Sequence, residues 1–370
     1  MKISILGTRG IPANYSGFET SVEETAWRFV NLGHDVTVYC RSNHIDYDQD
    51  HFRGVKLVKL PSIKHKYLDT PSHTTLSVLH TLQNPPDMIQ IYGVGNALWL
   101  PFLKLARRPL VIVVDGLDWQ RAKWQGLAKW FLRQSENWAV RWADAYVVDS
   151  ESVIKYYEQR FEKVPIYIAY GANVPEATDK IDLLSEFGLK PNQYILFVGR
   201  LVPEKGVHYL INAFEQVDTD MSLVIVGDNI HDQAYVESLK TTQDPRIKFL
   251  GFVYGEGYQQ LNSHAYLYVQ PSDLEGTSPA LLGAMGHGNC VLVSDIPENL
   301  ETIADAGVSF KKSNSDDLAR QLTNLIASPD RVVEYKRKAQ ERVQTTYNWD
   351  SIAAKYVQLF QMLYRKSSVN

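Results

Sequence analysis

Short apolar runs alternate along the whole chain with longer stretches in which apolar residues recur every three or four positions. The short runs are rich in Val, Ile and Leu and end at glycine, proline or charged residues, as strands buried on both faces do. They predict strands at 2–8, 35–41, 55–60, 87–92, 110–115, 145–149 and 165–169. After a polar gap around 173–190 the pattern restarts at 194–199, 222–227, 247–252, 266–270 and 290–294. The stretch after the first loop shows the helical period most clearly: Phe18, Val22, Ala26, Phe29 and Val30 share a face, and Gly33 closes it. Strands alternating with helices in this way predict an α/β chain with parallel sheets.

Two such series predict two doubly wound, Rossmann-like domains, 1–172 and 173–351, facing each other across a cleft. The last amphipathic helices run from about Asp316 to Lys366, and the final one, about 352–370, is expected to pack back on the first domain. A length of 370 residues suits two domains. The net charge of −4 argues against a nucleic-acid partner. Cys40 and Cys290 lie far apart in apolar runs and read as buried thiols of a reducing compartment. The opening MKISILGTRG reads as a strand and loop, not a secretory signal, and no run reaches the roughly 20 apolar residues of a membrane span. A soluble cytoplasmic protein is the expectation.

The most informative stretch is PSDLEGTSPALLGAMGHGNCVLVSD, from Pro271 to Asp295. It reads as a strand end, an acidic loop carrying Glu275, Gly276, Thr277 and Ser278, a helix, and another strand. A helix opening there turns its free N–H groups and positive dipole end toward a phosphate or sugar hydroxyl. GRLVPEKG, residues 199–206, sets Arg200 and Lys205 on one loop, two cations able to neutralise a departing diphosphate in the place of a divalent metal. In the first half, GTRGIPANYSGFE places Arg9, Gly10, Gly17 and Glu19 on a long loop and the helix turn after it, Gly10 and Gly17 as donor-binding candidates and Arg9 and Glu19 as acceptor-side ones. Its glycines do not form the dinucleotide fingerprint, so an ordinary strand–helix turn stands against an anion-binding loop. VVDGLDWQRAKW follows a buried strand. It carries Asp115 as an acid/base or hydroxyl-orienting group, with Asp118, Trp119 and Arg121 on the acceptor side. The alternative is that Asp115 caps a turn.

Five of the eight tryptophans fall within 119–142: Trp119, Trp124, Trp130, Trp138 and Trp142. Lys123, Lys129 and Arg133 are interleaved with them, which suits either an anionic membrane surface or a core helix with a wet face. The ten histidines show no metal-ligand spacing.

Taken together these segments resemble the retaining glycosyltransferase family four, with the GT-B fold, over nearly the whole chain. GTRGIPANYSGFET and VDGLDWQRAKW are similar to bacterial rhamnosyltransferase-like enzymes of surface-polysaccharide synthesis. The resemblance implies transfer of a sugar, with dTDP-rhamnose the best guess, from a nucleotide-sugar donor to a glycan or lipid-linked acceptor. No cofactor or metal is implied, and the protein would be peripheral on the inner face of the plasma membrane. Arg200 and Lys205 would hold the donor diphosphate and Glu275 the donor sugar. The backbone at Gly276, Thr277 and Ser278 would bind sugar and phosphate, with Val253 and Tyr254 near the base.

In that family a second glutamate, seven residues beyond the first, binds the nucleotide ribose; here the position is Gly283. A lost charged hydrogen bond costs a few kcal/mol. Restoring a glutamate at 283 is therefore expected to strengthen donor binding. The same glycine supports a rival reading, a weak or inactive relative acting as a scaffold. A third, a sugar-nucleotide epimerase, would need acid/base residues that have no match here.

Overall fold

Among the described residues fourteen strands form two sheets. In the first, β1 (Lys2–Leu6), β2 (Asp35–Arg41), β3 (His51–Phe52), β4 (Val55–Leu60), β5 (Met88–Tyr92), β6 (Leu110–Val114), β7 (Ala145–Val148) and β8 (Ile166–Tyr167) lie in the order β3-β4-β2-β1-β5-β6-β7-β8. In the second, β9 (Tyr194–Val198), β10 (Ser222–Val226), β11 (Ile247–Gly251), β12 (Leu267–Gln270), β13 (Cys290–Ser294) and β14 (Val308–Phe310) lie in the order β11-β10-β9-β12-β13-β14. Every pairing is parallel except β3 with β4. The computed structural model describes all residues except 14–16, 66, 115, 121–124, 177, 179, 230–231 and 370, and of 118, 368 and 369 it describes the backbone alone.

The strands explain their own burial. β6 reads LVIVV and is buried at all five positions, which requires cover on both faces of the sheet. Two strands escape the sequence pattern. β3 has two residues and is made by a tight reversal at Arg53 and Gly54, both at positive φ. β14 has three. Neither is long enough to display a period.

The chain divides into two compact units, Met1–Tyr170 with Trp349–Asn370, and Gly171–Asn348. The returning helix Trp349–Val369 joins the first unit by packing on the helix Gly17–Asn31. Phe360 meets Phe29 edge-on at 5.6 Å, and Tyr356 meets it at 6.3 Å. Arg28 Nε adds a bond of 2.5 Å to Asp350. Of the predicted face of that first helix, Val22, Ala26 and Phe29 are fully buried.

Among the parallel strands of each sheet, leaving aside the antiparallel edge strand β3, the order reverses once, between β1 and β5 and between β9 and β12. Loops at the carboxyl ends of the two strands flanking a reversal diverge to opposite faces and leave a crevice, the usual ligand position in open α/β sheets.

Candidate functional site

In the second unit the two diverging loops are 199–206, after β9, and 271–278, after β12. Gly206 lets them meet. It stands at φ +67°, and a Cβ there would lie 2.0 Å from the carbonyl oxygen of Pro271. The backbone N–H of Asp273 donates to the Glu204 carbonyl at 2.9 Å, a second tie between the loops. Glu275 is thereby brought against Lys205, whose Nζ donates to its Oε1. Two further donors reach the same oxygen: Gln270 Nε2 at 2.5 Å and Ser272 Oγ at 2.6 Å. Glu275 is 8 % exposed and Lys205 16 %. A buried carboxylate so fully met stays where it is put.

Behind it, Tyr268 Oη donates to Gln270 Oε1 at 2.7 Å and fixes which way that amide faces. Ser294 Oγ holds the Ser272 carbonyl at 2.5 Å. The polar ends of β12 and β13 thus form the floor of the site. Gln270, Ser272 and Tyr268 were not among the residues expected from sequence. Their signal was the glutamine and serine that interrupt an otherwise apolar strand end, YVQPS.

The helix Pro279–Gly286 opens directly above this floor. Ser278 is its cap: the hydroxyl accepts from the Leu281 N–H at 3.4 Å, so this side chain is committed to the helix. Thr277 and Ser278 are buried and Gly276 half-buried. Arg200 is exposed, unlike Lys205, and makes no ion pair with any described residue. The structure therefore separates the two predicted cations: Lys205 is bound to Glu275, while Arg200 stands in solvent. Tyr254, 68 % exposed, stacks on Phe252 with ring centroids 6.0 Å apart and planes at 16°. Val253 lies half-buried between them.

Position 283 departs from expectation. A Cβ there would stand 2.7 Å from Tyr258 Oη, closer than such atoms approach, so a glutamate cannot enter while Tyr258 keeps its place. The space of the absent carboxylate is filled, not vacant.

In the first unit Gly10 stands at φ +113°, where a Cβ would be 2.5 Å from Cys40 Sγ, so the first loop lies flat on the end of β2. Glu19 is buried and accepts the Arg9 backbone N–H at 2.8 Å, and Arg9 in turn gives its carbonyl to the Arg41 N–H. Glu19, expected on the acceptor side, is thereby tied to the loop, and Gly17 opens the helix behind it. Beside the loop lies a cluster unanticipated from sequence. Arg41, buried, binds Asp69 at 2.7 Å and Thr70 at 3.1 Å, while His44 reaches Asp69 at 3.0 Å. Ser62 and the Arg41 and His44 charges hold the Asp69 carboxyl below its ordinary range against the opposing effect of burial.

Asp115 and Arg121 lie outside the described residues, as does the side chain of Asp118. Trp119 meets Tyr156 with ring centroids 6.2 Å apart and planes tilted by 41°, and Lys129 and Arg133 lie over its ring at 5.3 and 4.9 Å. Trp138 and Trp142 pack on the core of the first unit. Both rings are half-buried: the helix Gly126–Trp142 uses them to meet the core, one of the two readings the sequence left open, and Trp130 is left exposed at 58 %. Trp124 and Lys123 are outside the described residues.

Among the described residues no cluster of His, Cys, Asp and Glu is placed to hold a metal ion, and no helix is long and apolar enough to cross a membrane. An Asp-x-Asp pair at Asp218 and Asp220 precedes β10, at the opposite end of its sheet from the site. Both cysteines are free and buried, their thiols pushed up by burial to about 11 for Cys40 and about 12 for Cys290.

Residues 16–166 match the family model of the glycosyl transferase 4-like domain, and residues 182–342 that of glycosyl transferases group 1. An uncharacterized glycosyltransferase of Methanocaldococcus jannaschii is 29 % identical over 194 residues, covering 50 % of this chain and 49 % of that one. The chain spans about half the length of the curated relatives it matches. Among solved structures, a sucrose-phosphate synthase from Thermosynechococcus elongatus superposes with a TM-score of 0.82 at 20 % identity, covering 99 % of each chain. Anabaena HepE in complex with UDP gives 0.79 at 20 % identity, over 98 % of this chain and 100 % of that one. These likenesses show the fold, that of the GT-B glycosyltransferases.

Proposed function

We propose that this chain, which joins a glycosyl transferase 4-like domain to a group 1 glycosyltransferase domain, moves a sugar with retention from a nucleotide-sugar donor to a glycan or lipid-linked acceptor. The observation that carries the reading is the Lys205–Glu275 pair, built into the crevice of the second sheet beneath a helix N-terminus. Glu275 spends Oε1 on Lys205, Gln270 and Ser272, which leaves Oε2 to accept from a donor-sugar hydroxyl. The amides around Gly276 to Ser278 and the unpaired guanidinium of Arg200 would take the diphosphate. Lys205, held by Glu275, lends charge and position.

In the reaction so read, the acceptor hydroxyl attacks the anomeric carbon on the face from which the diphosphate leaves. The bond from that carbon to phosphate oxygen breaks, and the hydroxyl proton passes to a phosphate oxygen. Positive charge already in place stabilises the departing anion without rearrangement. No metal is assigned a part. The finer reading keeps dTDP-rhamnose as donor, surface polysaccharide as product and Asp115 as a group on the acceptor side. The exposed start of the helix Gly126–Trp142, with Leu127, Lys129, Trp130 and Arg133, supports docking on an anionic membrane face.

The test is acceptor-dependent release of nucleoside diphosphate. With an extract of lipid-linked glycan, release is expected from a nucleotide sugar, with dTDP-rhamnose ahead of UDP-glucose. Arg200→Ala and Lys205→Ala should each lower it by about a hundredfold, given the usual weight of a charge-stabilising group. Release that is independent of acceptor, or unchanged in both variants, would sink the assignment.

A further inference from the structure

The loop that carries Glu275 holds a second carboxylate, Asp273, two residues before it. From sequence the two could share one chemistry. The structure gives them different neighbours. Glu275 meets Lys205, Gln270 and Ser272. Asp273 meets hydroxyls from two other elements: Tyr209 Oη donates to its Oδ2 at 3.1 Å, and Ser313 Oγ to its Oδ1 at 2.6 Å. Its backbone N–H makes the bond to the Glu204 carbonyl at 2.9 Å.

The places of these partners along the chain are what matter. Glu204 immediately precedes Lys205, and Tyr209 follows it by four residues, in the first turn of the helix Val207–Phe214. Asp273 is therefore fastened to the chain on both sides of Lys205, and Glu275 comes two residues later. Burial pushes the imidazole of His208 down while the Asp273 charge opposes it, which sets the carboxylate beside the same helix. Ser313 lies in the exposed turn between β14 and the helix Ser315–Ile326, so the loop is pinned from that side too.

Strand pairing alone leaves this register open. The pairing of β12 with β9 runs through Leu267 with Ile195 and Tyr268 with Leu196, several residues short of either loop. A misplacement of about 1 Å in a reacting site can cost roughly a hundredfold in rate. We propose that Asp273 is a positioning residue of the donor site: it touches no substrate, and it sets Lys205 against Glu275 by latching one loop to the other. The inference rests on the proposed donor site and adds to it a residue outside the substrate's contacts.

One substitution separates a latch from a charge. The hydroxyls of Tyr209 and Ser313 can each donate or accept. The amide of Asp273→Asn can accept from one and donate to the other, so the latch survives without the charge, whereas Asp273→Ala leaves both hydroxyls unmatched. Donor kinetics on the whole chain, with dTDP-rhamnose and UDP-glucose as donors and the lipid-linked glycan extract as acceptor, should show kcat/KM at least tenfold lower in Asp273→Ala and within threefold of the parent in Asp273→Asn. Tyr209→Phe, which keeps the ring and should keep the melting temperature, should lower it at least threefold, and should add less than twofold to the loss in Asp273→Ala. Should Asp273→Ala fail to fold, Tyr209→Phe and Asp273→Asn decide by the same thresholds. An asparagine variant as impaired as the alanine one overturns the inference, because the charge is then the agent. So does an alanine or Tyr209→Phe variant within threefold of the parent. In each of those cases a loss in Lys205→Ala leaves the donor site standing. If the parent releases no nucleoside diphosphate from either donor, both the inference and the proposed function fall.

Discussion

His73 is wholly buried, in the first unit beside the Arg41–Asp69 pair and His44, and burial, helped by the Arg41 charge, pushes its imidazole down to about 4. Its ordinary value is near 6.5. In acid the unfolded chain therefore takes up a proton that the folded chain refuses. Stability held above pH 6.5 is lost as pH falls from there toward 4, and the loss is complete below it. The interval corresponds to about 3 kcal/mol. Urea unfolding of the parent and His73→Gln at pH 7.5 and 4.5 should show the parent losing more than the variant, by that order; parallel losses would refute it. Such residues are hard to see in a sequence. His73 sits among threonines and serines that look like a solvated face, and its burial beside Arg41 is what changes its chemistry. Glu275, by contrast, was legible because it follows an apolar run and precedes a capped helix.

Among elements, the junctions matter more than the spans. Strands with several apolar residues were readable because both of their faces need cover, whereas β3 and β14 were not, being too short to show a period. The terminal helix shows what a span can do once it finds a surface. Phe360 is fully buried against Phe29 and Tyr356, so a cavity left there would have little means of closing. Phe360→Ala should cost about 3–5 kcal/mol. Chemical denaturation followed by near-ultraviolet circular dichroism would measure it, and a loss under 1 kcal/mol would mean that this helix does not stabilise the first unit. Gly206 makes the matching point in the second unit, since only a residue without Cβ passes the Pro271 carbonyl there.

For the whole molecule the net charge of −4 does not favour anionic surfaces, so any membrane contact must be local. Leu127, Lys129, Trp130 and Arg133 supply one such locality, with Phe102, Leu105 and Arg107 exposed on the chain just before β6. Flotation with vesicles containing anionic lipid should carry the protein upward, neutral vesicles should not, and Trp130→Ser with Lys129→Ser should reduce recovery severalfold. Equal recovery in the unbound fraction with both lipids would count against docking. The sequence by itself determined the α/β class, the two strand series and the loops that carry Glu275, Arg200 and Lys205, because burial and helix-terminus chemistry are local and leave a pattern. Tertiary structure alone decided the rest. Strand order put β9 beside β12, and so Lys205 against Glu275, 70 residues apart along the chain. Core contact drew Trp138 and Trp142 inward, where the sequence allowed a membrane face. The close meeting of two helices filled the place of a missing carboxylate with Tyr258. No spacing records a contact that exists only when separate segments compete for the same volume.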